Sequence, residues 1–270
     1  MKLVRIETDR GPVWAAEAEA EAEAGYVRVE WRDGEPVAIH EPAPKGKLLA
    51  PVDPPAILAI GVNYRKHAAE TGAKLPLFPV VFQKGLHSLT GPEDPIVLPR
   101  HLRSDKVDYE CELAFVFKKT AKNVSRAEAM DYVLGFTAAN DVSARDWQRE
   151  WGGTQWCKAK SFDSFCPCGP CVVTLDQLPN YGNLRITTKI DGNVMQDART
   201  DDLIFDIPAL VEFLTGSTTV AAGTLVLTGT PHGVGMARDP QVWLRPGNLV
   251  EVEIEGIGTL RNRVTEEVIG

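Results

Sequence analysis

Apolar residues alternate with polar ones, or occur in short unbroken runs, along most of the chain after residue 55. Runs of this kind, rich in Val, Ile, Leu and Phe and bounded by Gly, Pro and Asp, are typical of β-strands. They occur at residues 56–63, 79–84, 95–99, 112–118, 169–175, 184–192, 224–231 and 249–256.

Two segments have helical spacing instead. Ser125 and Glu128 form a capping box, and apolar residues continue at helical intervals through residues 126–136. A second helix is predicted within residues 206–216, DIPALVEFLTG. Few helices among many strands predict an α+β, β-rich fold.

The first fifty or so residues differ from the rest. They contain short β-like pieces, a turn signal at Asp33-Gly34 and a proline-rich exit at 42–55. These features predict a small N-terminal β-rich domain over 1–54 and a main domain over 55–270. Within the first part, AAEAEAEAEAG at 15–25 alternates Ala and Glu, and we expect an exposed edge segment there.

Composition restricts the partners. The chain has 270 residues and a formal net charge of -8, which argues against nucleic acids and anionic membranes because those surfaces attract an excess of Lys and Arg. No leader-like segment opens the sequence, and no apolar stretch is long enough to span a bilayer. We therefore expect a cytoplasmic protein that acts on small molecules.

Cysteines cluster in the segment CPCGPC, at Cys166, Cys168 and Cys171. With Cys157 they could form a zinc or iron–sulfur site. The alternative is a Pro/Gly-rich bend that tolerates small side chains, with the thiols kept reduced. We favour the structural interpretation.

Glu110 and Glu112 stand at the head of an apolar run, DYECELAFVF. In a strand they would point to the same face, where two carboxylates repel each other. Asp141, at the end of another apolar run, would complete three hard oxygen ligands of the kind that suit Mg²⁺ or Mn²⁺. A divalent ion would remove the repulsion. The alternative is that the two glutamates are exposed to solvent, in which case they would need no ion.

The segment GVNYRKHAAE follows an apolar run and predicts the start of a helix, with Asn63 as its N-cap. His67 and Glu70 are three residues apart and would share one helical face. A carboxylate beside an imidazole fixes its tautomer and raises its basicity, which makes a general base toward water. A simple surface contact is the alternative.

Five motifs follow one another over roughly residues 55–265: GVNYRKHAAE, DYECELAFVF, NDVSARDWQ, AKSFDSFCPCGP and VLTGTPHGVG. Together they resemble the fumarylacetoacetate hydrolase superfamily. The resemblance implies a β-rich fold with a rolled mixed sheet, a catalytic domain over 55–270, a homodimer and a divalent metal in the active site.

The resemblance also implies roles for individual residues. One of these roles is an amine that approaches the substrate, and Lys158 is the alternative to Lys160 for it. The matching positions are Glu110, Glu112 and Asp141 for the metal; His67 and Glu70 for the dyad that activates water; Lys160 for the amine; and Arg145, Gln148 and Thr230 for binding or orienting the substrate.

These parts lead us to expect a Mg²⁺- or Mn²⁺-dependent hydrolase that cleaves a 2,4-dioxo acid of the acylpyruvate or fumarylpyruvate type into pyruvate and a carboxylic acid. The same metal–enolate chemistry serves the alternatives, which are an oxaloacetate decarboxylase or tautomerase, a 2-oxo-4-enoate hydratase or isomerase, and a diketo-deoxy sugar acid hydrolase. A non-catalytic metal-binding protein is the alternative from a different class.

Overall fold

The computed structural model describes residues 1–18, 25–153 and 155–269. Most of the segment 15–25 that is predicted to be an exposed edge therefore lies outside the described residues. The strands are β1 Lys2–Ile6, β2 Val13–Glu17, β3 Tyr26–Arg32, β4 Glu35–Pro42, β5 Leu48–Leu49, β6 Ile57–Gly61, β7 Val80–Lys84, β8 Leu89–Thr90, β9 Ile96–Leu98, β10 Val107–Asp108, β11 Cys111–Phe117, β12 Val133–Asn140, β13 Ser143–Ala144, β14 Cys166–Thr174, β15 Arg185–Ile190, β16 Asn193–Arg199, β17 Leu225–Leu227, β18 Leu249–Ile254 and β19 Gly258–Glu266.

Helices are few and short. They are α1 Arg65–Thr71, α2 Trp156–Ala159, α3 Ile207–Thr215, a π-helical segment Asp146–Trp151, and 3₁₀ turns at Leu86–Ser88, Ala129–Tyr132, Leu175–Gln177, Tyr181–Asn183, Thr200–Asp202 and Gly235–Ala237. The predicted α+β, β-rich class is confirmed.

Within the described residues, the largest sheet has the order β4-β3-β2-β1-β14-β12-β11-β17-β6-β7, with β5 beside β1 and β8 beside β14. Most neighbours are antiparallel, but β17 with β6 and β14 with β8 are parallel, so the curled sheet is mixed as predicted. A smaller sheet, β16-β15-β18-β19-β9, covers part of it, and β10 pairs with β13.

Strand β11 lies near the middle of the large sheet and is buried on both sides. Successive side chains of a strand point to opposite faces. Accordingly, Phe115 and Phe117 enter one core beside α3 and the small sheet, whereas Ala114 and Val116 enter a second core on the other face. Both faces of the strand that carries Glu112 are therefore fixed by packing.

The prediction of a helix over residues 126–136 is wrong except for one helical turn. Ser125 does contact Glu128, with its hydroxyl 2.6 Å from Oε2, but only Ala129–Tyr132 is helical, and β12 begins at Val133. Successive residues Val133 and Leu134 pack into the two different cores, the alternation that a strand provides. Tertiary packing thus overrides the local helical spacing.

The helix predicted at 206–216 is confirmed as α3, which Asp206 caps by accepting the Ala209 N–H at 3.0 Å.

The N-terminal strands continue the large sheet. β1 is antiparallel to β14, with Lys2 opposite Val173 and Leu3 opposite Val172. Leu3 and Val4 are buried in opposite cores that they share with later strands. The division at residue 54 stays a prediction, and the backbone pairing crosses it.

Candidate metal centre and active site

Three buried carboxylates converge where two central strands meet. β11 and β12 are antiparallel, with Cys111 opposite Asn140, so the head of β11 lies beside the end of β12. Glu110 and Glu112 lie at that head, and Asp141 directly follows β12. One oxygen from each lies within 4.8 Å of the other two, and no other such group of potential metal ligands occurs in the described ranges.

Backbone and amide hydrogen bonds fix this arrangement. The Asp141 N–H donates to the Glu110 carbonyl at 2.8 Å, and the Glu110 N–H donates to Oδ1 of Asn140 at 3.0 Å. The Gly229 N–H, just past β17, donates to Oε2 of Glu112 at 2.6 Å. Gly229 has φ +103, and a Cβ there would lie 2.7 Å from Cβ of Asn63, so glycine is needed at this close approach.

Two buried lysines contact the carboxylates. Lys160, which follows α2, donates to Glu110 at 2.7 Å and to Asp141 at 2.6 Å. Lys84, at the end of β7, donates to the other oxygen of Asp141 at 2.6 Å and also to the Lys160 carbonyl. Burial disfavours the Lys160 ammonium, but Asp141 and Glu110 outweigh that effect and raise its pKa, so the amine stays protonated. The competing Lys158 lies outside this group, with its ammonium 4.3 Å from the centroid of the Phe162 ring.

Arg145 is the third buried cation. It donates to Asp108 at 2.9 Å, to Glu110 at 2.5 Å and to Oε1 of Gln148 at 2.8 Å. Asp108 also accepts the N–H groups of Gly235 and Met236. Arg145 thus anchors the carboxylate group to the loop after Thr230.

The two glutamates have opposite electrostatic surroundings. Burial opposes ionisation of Glu110, but Lys160 and Arg145 outweigh it and lower its pKa. Burial raises the pKa of Glu112 well above its usual range, and Asp141 and Glu110 add to this rise. Glu112 receives no hydrogen bond from a cationic side chain in the described part of the chain. A divalent cation would supply the missing positive charge, so the donor set fits a metal with oxygen ligands.

His67 and Glu70 form the predicted pair on α1. Nδ1 of His67 lies 2.8 Å from Oε1 of Glu70. Glu70 also accepts the Gly233 N–H at 2.9 Å and 3.1 Å, which holds the carboxylate in place. An ionised Glu70 selects the tautomer with hydrogen on Nδ1, and Nε2 is left as an acceptor.

The chain before α1 differs from the prediction. Asn63 is not the N-cap; that position is Tyr64, which makes no capping side-chain hydrogen bond. Instead the buried Asn63 amide donates to the carbonyls of Phe205 and Thr228, because it fills a gap between two loops. Val62 has φ +53, a conformation that β-branched residues rarely adopt and that is frequent at functional sites.

Thr230 lies beyond β17 on the same side as Glu112. Its hydroxyl accepts from Nε2 of Gln196 at 2.9 Å, and Gln196 also accepts the Cys111 N–H at 3.0 Å. Gln196 therefore joins the Thr230 loop to the head of β11.

A cavity of about 80 Å³ opens over these groups. It is small beside the several hundred cubic ångströms of typical drug-sized sites. Ile60, Phe82, Trp156 and Met236 are among its apolar neighbours. Its polar and charged lining consists of His67, Thr71, Glu110, Glu112, Asp141, Arg145, Gln148, Arg149, Lys160 and Thr230. All predicted site residues except Glu70 thus line one cavity, and Glu70 reaches it through His67.

The cysteines belong to the interior. Cys166, Cys168 and Cys171 lie in β14 as buried free thiols, whereas Cys157 is exposed. Burial raises the pKa of Cys166 and of Cys171 to about 12. Among the described residues they form no potential metal-binding group, in agreement with the structural interpretation.

Sequence reasoning missed Lys84, Asp108, Gln196 and Arg149. Asp108 had a signal, because Asp108, Glu110 and Glu112 continue one alternation of acids. The signal for Lys84 was weaker, namely a lysine at the end of an apolar run. Gln196 gave no signal, because its hydrogen bonds join distant segments, and Arg149 gave none, because only the folded chain places it in the cavity lining.

Comparison with known proteins assigns the chain to a family of enzymes. Residues 56–265 match the fumarylacetoacetate (FAA) hydrolase C-terminal family. The chain therefore belongs to the fumarylacetoacetate hydrolase family.

Relatives within the family include tautomerases and isomerases. The chain is 43% identical to a mitochondrial oxaloacetate tautomerase of Xenopus laevis over 218 residues, which are 80% of this chain and 68% of that protein. Identity to a human mitochondrial oxaloacetate tautomerase is 42%, over 80% of this chain and 69% of that one. A 2-hydroxyhepta-2,4-diene-1,7-dioate isomerase structure from Mycobacterium marinum is 35% identical, with a TM-score of 0.85 and full coverage of both chains. A 5-carboxymethyl-2-hydroxymuconate delta-isomerase from Mycobacterium smegmatis is 36% identical, with a TM-score of 0.84, covering 99% of this chain and 100% of that one.

No helix among the described residues is long and apolar enough to cross a membrane.

Proposed function

We propose that this protein is a divalent-metal-dependent enzyme that interconverts keto and enol forms of a 2-oxo acid, with oxaloacetate as the leading candidate substrate. One observation carries the proposal: three buried carboxylates, a lysine that donates to two of them and a histidine–glutamate pair meet at one small cavity. The activities for which its relatives are named, oxaloacetate tautomerisation and dienoate isomerisation, favour this over hydrolysis, the activity that the sequence led us to expect.

The metal would be held by Glu110, Glu112 and Asp141. When bound, it would act as a Lewis acid that stabilises negative charge on the oxygen atoms of the substrate. Mg²⁺ or Mn²⁺ suits three carboxylate ligands.

The protein's own groups account for the proton transfers. In the enol-to-keto direction, the C2 hydroxyl loses a proton and C3 gains one. Nε2 of His67, oriented through Nδ1 by Glu70, takes the proton from the C2 hydroxyl and delivers it to C3, so the histidine ends in the state in which it began. Lys160 remains an ammonium and stabilises charge on the C2 oxygen. Arg145, Gln148 and Thr230 would bind and orient the substrate.

Hydrolysis of an acylpyruvate is the second candidate, and a specific contact favours it. The 2.8 Å contact between His67 and Glu70 would equally orient an imidazole that takes a proton from water. The two functions differ in whether water enters the product.

A substrate panel separates them. The enol absorbance of oxaloacetate and of short acylpyruvates is followed with Mg²⁺, Mn²⁺ or EDTA, and the products are resolved by chromatography. Reactions that contain Mg²⁺ but no protein are the control. Metal-dependent conversion of enol-oxaloacetate to the keto form, without release of pyruvate, supports the tautomerase. Metal-dependent release of pyruvate and a carboxylic acid from an acylpyruvate moves the proposal to the hydrolase, and turnover of neither contradicts both.

We also propose a homodimer and a cytoplasmic location, as the sequence led us to expect. The vertebrate relatives carry mitochondrial names, so fractionation of the source cells tests the location directly. Light scattering tests the dimer.

A further inference from the structure

One cation of the cavity lining stands apart from the others. Arg149 lines the cavity together with Arg145 and Lys160. Arg145 is engaged by Asp108, Glu110 and Gln148, and Lys160 by Glu110 and Asp141. Within the described residues, Arg149 has neither an ion pair nor a hydrogen bond from its guanidinium. It is the cation left available to an incoming anion.

The acids next to Arg149 in sequence are engaged elsewhere. Asp146 accepts from the Ser104 hydroxyl at 2.7 Å and from the Asp105 N–H at 2.9 Å. Glu150 accepts from Lys106 at 2.5 Å. Neither carboxylate neutralises Arg149, although both belong to the same π-helical segment, Asp146–Trp151.

The position of Arg149 suits the far end of a substrate. It lies four residues after Arg145, close to the same face of the helical segment. Arg145 is buried beside the carboxylates, whereas Arg149 is exposed, so it lies at the opening of the cavity. Partial burial and the nearby Arg145 lower the pKa of Arg149, and Glu110 opposes this effect.

We infer that Arg149 binds the distal carboxylate of the substrate and makes the site selective for 2-oxo dicarboxylic acids over monocarboxylic ones. This inference rests on the proposed function, in which the metal would stabilise charge on the substrate oxygens and Lys160 stabilises charge on the C2 oxygen. A guanidinium matches a carboxylate through two parallel N–H donors. The names of the relatives agree, because oxaloacetate and a 1,7-dioate each carry two carboxylates.

The test compares substrates of equal length. Deuterium exchange at C3 is measured by NMR for oxaloacetate and for 2-oxobutanoate, which lacks the distal carboxylate. In Arg149→Gln, loss of a partly exposed charge-assisted pair raises KM for oxaloacetate by about tenfold, with kcat changed less than about twofold. The kcat and KM for 2-oxobutanoate stay unchanged. The KM of Arg149→Lys for oxaloacetate lies between those of wild type and Arg149→Gln. Arg28→Gln, an equal charge change on the exposed face of β3, is the matched control.

A binding measurement without turnover separates this inference from the proposed function. Calorimetry compares malate with 2-hydroxybutanoate on the Mg²⁺-loaded protein. Wild type prefers malate, and Arg149→Gln loses that preference while its affinity for 2-hydroxybutanoate stays the same. An unchanged preference in the variant, together with normal exchange of oxaloacetate, overturns the role of Arg149 alone. Absence of both exchange and binding in wild type overturns the proposed function, and the inference with it.

Discussion

At the scale of single residues, the site is organised by an uneven distribution of positive charge. Glu110 pairs with Arg145 and Lys160, and Asp141 pairs with Lys84 and Lys160. Among the described residues, the only hydrogen bond to the Glu112 carboxylate comes from a backbone N–H. Removing one partner of a buried ion pair leaves the other charge uncompensated in the interior. Chemically similar substitutions at Glu110 and Glu112 should therefore have opposite effects on the metal-free protein.

Glu112→Gln should keep or raise the thermal stability of the metal-free protein, because it removes a repelling charge and still accepts the Gly229 N–H. It should also abolish the stabilisation that Mg²⁺ gives. Glu110→Gln is the matched comparison, and we expect it to lose about 3–5 kcal/mol because two buried cations lose a partner. Thermal unfolding with and without Mg²⁺ measures both. A full Mg²⁺ response in Glu112→Gln would remove this residue from the metal site.

His67→Asn should lower turnover of oxaloacetate by about 10²- to 10⁴-fold, the usual contribution of a general acid–base group. The Mg²⁺-induced shift in unfolding temperature should be unchanged, because His67 is not among the three proposed ligands. His101→Asn, at an exposed histidine, serves as the control. Wild-type turnover in His67→Asn would show that the proton is carried by another group.

At the scale of elements, the position of Lys160 depends on how α2 packs against β6. Gly61 ends β6, and a Cβ there would lie 2.2 Å from Cζ3 of Trp156, the first residue of α2. The Trp156 ring also lies edge-on to Phe82, with centroids 5.5 Å apart. The Lys160 N–H donates to the Trp156 carbonyl at 3.1 Å, so a shift of Trp156 would displace Lys160.

Gly61→Ala should destabilise the protein by about 1–3 kcal/mol, the usual cost of overpacking a rigid contact. It should also raise KM for oxaloacetate, because Lys160 moves with α2. Urea unfolding and steady-state kinetics measure the two effects. Gly182→Ala is the control, since a Cβ there meets nothing within 4 Å. If Gly61→Ala and Gly182→Ala have the same stability and the same KM for oxaloacetate, the Gly61–Trp156 contact does not position Lys160.

At the scale of the whole molecule, the N-terminal strands and the catalytic strands share one sheet. β1 covers the edge of β14, and Leu3 and Val4 are buried in cores built mostly from later strands. An uncovered strand edge is a template for pairing with other chains.

A shortened protein that begins at Pro55 should therefore aggregate or lose cooperative unfolding, because the edge of β14 becomes exposed. Size-exclusion chromatography and thermal unfolding are the measurements. If the shortened protein is monodisperse and keeps its Mg²⁺ response, residues 1–54 are the separate domain that the sequence predicts.

Sequence alone predicted the fold class and, where local periodicity is strong, side chains that the structure places together. The alternation in DYECELAFVF places Glu110 and Glu112 on one face, and the three-residue spacing places Glu70 beside His67, so both contacts follow from local geometry. The segment 126–136 was misread because packing on two sheet faces, not local spacing, decides its conformation. Lys84 contacts Asp141 and the Lys160 carbonyl, which lie far away in sequence, and no local pattern encodes those contacts.

The most direct test of the account is NMR measurement of deuterium exchange at C3 of oxaloacetate, with wild-type protein and His67→Asn, in Mg²⁺ and in EDTA. The account predicts exchange faster than with Mg²⁺ alone in wild type, and loss of that acceleration in EDTA and in His67→Asn. Exchange no faster than with Mg²⁺ alone, in wild-type protein that nevertheless binds Mg²⁺, would contradict the claim that this site catalyses enolisation.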